Sequence, residues 1–84
     1  MSDQAADIAG LVKVVVEPLI EHPEDLEITP SVEDDGTILV EIRTHADDAG
    51  KVIGRQGRVI KAVRTLARAA ASRTDTHVEV ELLD

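Results

Sequence analysis

The sequence predicts an α+β fold, a sandwich of two layers, and three observations predict it. Short stretches near 26–33, 37–44 and 78–82 alternate apolar and polar residues at period two, as half-buried strands do. Other segments carry apolar residues at helical spacing, and the elements follow the order α-β-β-α-α-β. Three strands with aliphatic inner faces and three amphipathic helices satisfy one another only when the helices cover the sheet.

The first helix is expected over 7–21, where Ile8, Leu11, Val12, Val15 and Leu19 recur on one side; residues 1–6 are small and polar and read as a frayed lead. Within it Val14, Val15 and Val16 are β-branched, and Pro18 has no N–H to bond back to Val14, so a kink or restart is expected there. His22, Pro23, Glu24 and Asp25 read as a stop and a turn. Leu26, Ile28 and Val32 then alternate with polar neighbours, and Pro30 assigns that strand to a sheet edge. Asp35 and Gly36 signal a hairpin turn into the second strand, whose inner face is Ile38, Val40 and Ile42.

A short helix over 46–53 and a long one over 57–73 follow. In the long helix Val59, Ile60, Val63, Leu66, Ala67 and Ala70 are expected on one face, and Lys61, Arg64 and Arg68 on another, with Arg58 beside them. Val78, Val80 and Leu82 alternate with Glu79 and Glu81 in the last strand. Because this strand returns after a two-helix crossover it can lie parallel to the second, giving a mixed sheet. Its outer face would carry Glu27, Glu33, Glu41, Glu79 and Glu81.

Size and composition bound the function. The 84 residues suit a single domain, 1–84, that buries roughly 60 to 65% of its unfolded surface. There is no cysteine, hence no disulfide and no thiolate metal site, and no apolar run of transmembrane length; a cytoplasmic location is the expectation, without a membrane partner. Phe, Tyr and Trp are absent, which removes base stacking on aromatic rings.

The formal net charge of −8 hides an asymmetry: Met1 to Ile42 holds eleven acidic residues and one basic, whereas Ala49 to Thr74 holds seven basic residues and no acidic one. One sign running through 26 residues points to a local anion site. That basic region contains Gly50 to Lys61, GKVIGRQGRVIK, with Gly54 and Gly57 bracketing Arg55 and Gln56. Glycines at both ends of a four-residue turn allow close backbone approach, and a helix starting at Gly57 would add its first amides and positive dipole end.

The order of elements and the string Val52-Ile53-Gly54-Arg55-Gln56-Gly57-Arg58-Val59-Ile60 resemble the K-homology (KH) domain in its bacterial type II topology, matching the VIGxxGxxI signature over nine residues between two helices. Length, the HPEDL turn and GKVIGRQGR are similar, more narrowly, to small bacterial single-KH proteins of the KhpA type. The resemblance implies an RNA-binding protein, a post-transcriptional regulator or RNA chaperone, whose GxxG loop clamps the backbone of single-stranded RNA while about four bases lie in an apolar groove. Gly54, Arg55, Gln56 and Gly57 become the clamp, and Val52, Ile53 and Ile60 floor or support the groove. Lys51, Arg58 and Lys61 add phosphate contacts. A homodimer, or a heteromer with a larger KH protein of the Jag (KhpB) type, is also implied.

Other readings are weaker. The glycines fit neither GxGxxG after a strand nor GxxxxGK[ST], so no nucleotide cofactor is expected. His22, His45 and His77 stand isolated in sequence and read as surface or loop residues, with no metal site; Asp47 and Asp48 read as dipole partners at the short helix's start. No nucleophile and base are paired, so no enzyme is expected. The rival is a protein-interaction or dimerisation module that does not touch RNA.

Overall fold

The computed structural model describes residues 3–83. Its first helix, α1, spans Asp3–Val16 and passes into a 3-10 turn at Glu17–Leu19. Pro18 sits in the first turn of that 3-10 segment, where a missing N–H costs nothing, so the restart expected at the proline takes this form. The helix begins earlier than the polar lead suggested. Ala5 is fully buried in the core, Gln4 hydrogen-bonds Thr74, and the Thr76 hydroxyl donates to Gln4 Oε1 at 3.3 Å. Met1 and Ser2, the start of that lead, lie outside the described residues.

Strand β1 is Glu27–Val32, β2 is Ile38–Arg43 and β3 is Val78–Leu83. The sheet order is β1-β2-β3, with β1 antiparallel and β3 parallel to the central β2. Pro30 therefore does lie on an edge strand, and the sheet is mixed, as the crossover required. The β1–β2 turn is closed by Gly36 N–H to Glu33 O at 2.9 Å, with Gly36 at φ +90°, and by Thr37 N–H to Asp35 Oδ1 at 2.9 Å. That amide, followed by the Thr37 side chain, holds the Asp35 carboxyl below its ordinary value.

A 3-10 turn at Ala46–Asp48 leads into α2, Ala49–Ile53; a second turn at Arg55–Gly57 leads into α3, Arg58–Ala71, which tightens into a 3-10 turn at Ser72–Thr74. The helices cover one face of the sheet, α1 over β1, α3 over β3, and α2 against α3. Ile8, Val12, Val16, Ile38, Val40, Ile42, Val52 and Val63 are each at most 2% exposed and form the centre of an aliphatic core.

Leu19, Leu66 and Ala70, expected on apolar helix faces, are exposed. Leu19 is 43% exposed, because the helix tightens after Val16 and the phase of the apolar line shifts, leaving Val16 inside. On α3 the buried line is Ile60, Val63, Ala67 and Ala71; Leu66, about 100° round the helix from it, is 45% exposed, and Ala70 is exposed as well. On the outer face of the sheet Thr29, Glu41 and Glu81 align across the strands, as do Ser31, Leu39 and Glu79. Glu27 aligns with Arg43, which pairs in turn with Leu83, and Glu33 falls beyond β1 in the turn, so the acidic face is real but broken by one arginine and two leucines.

Candidate nucleic-acid interface

The loop between α2 and α3 is built on three residues with positive φ, Gly54, Gln56 and Gly57. Gly54 has φ 77° and ψ 172°, a region essentially reserved for glycine. Gln56 has φ 57° and ψ 24°, and Gly57 φ 75° and ψ 15°. Gly54 N–H closes α2 on Gly50 O at 2.9 Å, and Gly57 N–H closes the loop on Gly54 O at 3.1 Å. The demand for glycine at position 54 also comes from packing: a Cβ there would lie 2.4 Å from Val59 Cγ2 and 2.8 Å from Val59 N. At Gly57 such a Cβ would meet the Lys61 side chain at 3.9 Å, an ordinary van der Waals contact.

Arg55 and Gln56 are exposed at the tip, as expected of them. Arg58 Nη2 donates to Gln56 Oε1 at 3.1 Å, drawing the two side chains together over the loop. No side chain caps the start of α3, so its first amides gain no acceptor from Gly57. Arg58 and Lys61 are exposed one turn apart on α3, and among the described residues no carboxylate pairs with Arg55, Arg58 or Lys61. Of the apolar positions, Ile53 is 43% exposed, whereas Val52 and Ile60 are buried and support the surface from beneath.

Lys51 does not join this group. Its ammonium lies 3.4 Å from Glu21 Oε1 and 3.4 Å from Asp48 Oδ1. Asp48 is fully buried, a role that the dipole reading of this residue did not include. Its Oδ1 accepts from Glu21 N–H at 3.0 Å and its Oδ2 from His22 N–H at 2.9 Å, tying the turn after α1 to the start of α2. Burial alone would raise the Asp48 carboxyl; the two amides and then Lys51 outweigh it and hold the group below its ordinary value. For Lys51 desolvation works downward, but Glu21 and then Asp48 lift it above the ordinary lysine value. Spacing could have suggested the Asp48–Lys51 pair, three residues apart on one helix, but nothing local signals the long-range partners at 21 and 22.

Arg64 is also committed elsewhere, its Nε donating to Val80 O of β3 at 3.2 Å. His22 and His45, apart in sequence, stack with ring centroids 4.0 Å apart and planes 20° from parallel, so they are not isolated.

The model of the KhpA/KhpB KH domain matches residues 9–82, most of the chain. The chain belongs to the KhpA/KhpB KH-domain family. Similar relatives are the RNA-binding protein KhpA of Listeria monocytogenes, 40% identical over 74 residues that cover 88% of this chain and 96% of the relative, and that of Bacillus subtilis, 38% identical over 84 residues and the whole of both chains. Among solved structures, Era in complex with MgGDPNP and nucleotides 1506–1542 of 16S ribosomal RNA superposes with a TM-score of 0.61 at 18% identity, covering 96% of this chain and 30% of Era. Aquifex aeolicus Era bound to GDP·AlF4⁻ gives the same score at 16% identity, over 99% of this chain and 33% of that one. At such identities the likeness is one of fold, and the fold of this KhpA/KhpB-family chain is the type II KH arrangement of three helices on a three-stranded mixed sheet.

Proposed function

We propose that this protein binds single-stranded RNA, holding the sugar-phosphate backbone on the Gly54–Gly57 loop with Arg55, Arg58 and Lys61 as phosphate partners. One observation carries the reading: beside a loop with three positive-φ residues stand three exposed cations that, among the described residues, no carboxylate neutralises, in a chain whose net charge is −8. KhpA relatives that match nearly the whole chain are RNA-binding proteins by name, which supports the same class of ligand. Exposed Ile53 provides the apolar surface beside the loop on which a base can lie, with Gln56 and the first amides of α3 within the loop as further donors. Lys51, held by two carboxylates, contributes support to α2 in place of a phosphate contact.

The role is binding and not catalysis, consistent with the KhpA family, and the site of action is the cytoplasm. A single groove reads few bases, so pairing with a second copy or with a KhpB-type protein adds a second site and raises the effective affinity. Arg55→Asp combined with Gln56→Asp tests the loop. Both side chains project into solvent, so the variant is expected to keep its circular dichroism and urea midpoint and to lose single-stranded RNA binding in a gel-shift or crosslinking assay. Undiminished crosslinking by a folded variant would remove the loop from the interface.

A further inference from the structure

We infer that His22, His45 and Asp47 form a site for one borderline-soft divalent transition-metal ion such as zinc(II), joining the turn after α1 to the start of α2. Each of the three offers a ligand atom, and these atoms lie within 4.8 Å of one another. Two imidazoles and a carboxylate are a donor set of the kind zinc takes when it keeps one position open. The two histidines come from segments 23 positions apart in the chain, and the fold brings them into ring contact at 4.0 Å.

The surrounding contacts hold these donors on a fixed frame. The His22 backbone N–H is fastened to buried Asp48 at 2.9 Å, so the turn that carries this imidazole cannot drift from α2. His45 Nδ1 accepts from Asp47 N–H at 3.0 Å, which holds the ring at the start of the 3-10 turn; this nitrogen carries the lone pair, and an ion bound there exchanges that hydrogen bond for a coordinate bond. Asp47 Oδ2 is 3.7 Å from His45 Nδ1, and Glu24 Oε1 is 3.5 Å from His22 Nδ1, so each ring has a carboxylate beside it. Both rings are half-buried and Asp47 is exposed, giving the ion an open path from solvent.

Zinc–ligand bonds of about 2.0 to 2.2 Å require the donor atoms to draw closer than they stand, and the stacked rings to turn toward a common point. Side-chain rotation supplies this, since none of the three side chains is enclosed in the core. Bound there, the ion would replace a contact between rings by a coordinate link and reinforce the Asp48 anchor one short helix ahead of the Gly54–Gly57 loop. The inference stands on its own donor set and does not depend on the RNA reading.

Isothermal titration of the untagged full chain with zinc chloride tests it, with cobalt(II) as a second probe because its visible spectrum reports tetrahedral nitrogen and oxygen ligation. One saturable equivalent per chain is expected. His45→Gln and His22→Gln should each weaken zinc binding at least ~10-fold, and Asp47→Asn should weaken it as well, while His77→Gln leaves it unchanged. Circular dichroism of each variant without metal separates loss of a ligand from loss of fold, and the exposed Asp47→Asn reads the site even if a histidine variant unfolds. Absence of a saturable equivalent in the wild type would overturn the site, as would affinity unaltered in folded His45→Gln or reduced equally by His77→Gln.

Discussion

Gly54 and Gly57 share a motif but are glycines for different reasons, and that difference can be measured. At Gly54 a side chain meets a backbone region that other residues scarcely enter and, in addition, the Val59 side chain and amide. At Gly57 the conformation is ordinary left-handed helix with open space around it. Gly54→Ala is therefore expected to lose at least ~2 kcal/mol in urea unfolding, and Gly57→Ala about 1 kcal/mol. Equal losses would mean that packing against Val59 does not set the first glycine. Asp48 yields a second residue-level prediction, through pH. Its carboxyl lies below its ordinary value in the folded chain, so the stability it contributes is fully present above the unfolded pKa near 4 and is lost as pH falls through the lower, folded one. Lys51, raised when folded, contributes fully below its unfolded pKa near 10.5 and loses that contribution as pH climbs through the folded value. Asp48→Asn should accordingly be less stable than wild type at pH 7, with the gap closing below about pH 4; a constant gap between pH 7 and pH 3 would show that the carboxylate charge is not what anchors the turn.

The elements themselves were largely legible in the sequence, because each is written locally. Period two gave the three strands, Pro30 the edge, Asp35-Gly36 the hairpin, and the motif the break between α2 and α3. Local pattern failed where tertiary contact decides. Ala5 and Ala71 are core residues too small to stand out in a hydropathy pattern, whereas Leu19 and Leu66 stand out and are exposed. The candidate site divides in the same way. Arg55, Gln56, Arg58 and Lys61 are displayed as the charge run suggested, but Lys51 and Arg64, drawn from the same run, are bound to Glu21 and Asp48 and to the Val80 carbonyl. No spacing within the run distinguishes a cation facing solvent from one reaching across to another element. The His22–His45 stack was out of reach for the same reason, since it joins two turns that only the folded chain brings together.

At the scale of the whole molecule the sandwich separates charge. The outer sheet face carries Glu27, Glu41, Glu79 and Glu81 with Arg43, and the opposite layer carries the loop and its cations. A body with principal extents of 34 × 23 × 19 Å is thin enough for the acidic face to be felt at the loop when salt is low, because the Debye length is about 30 Å at 0.01 M and about 8 Å at 0.15 M. Two consequences follow for RNA affinity, and they separate by ionic strength. With Arg55, Arg58 and Lys61 as the phosphate partners and Lys51 withheld, log affinity for single-stranded RNA should fall against log salt with a slope of about −2. Neutralising the exposed pair Glu79→Gln and Glu81→Gln removes repulsion without touching the loop, so affinity should rise a few-fold, roughly 2 to 5, at 0.01 M salt and not at all at 0.3 M. Fluorescence anisotropy of a labelled oligonucleotide across that range checks both. A gain that persists at 0.3 M would mean that RNA contacts the sheet face directly, and the interface would then extend beyond the helical layer.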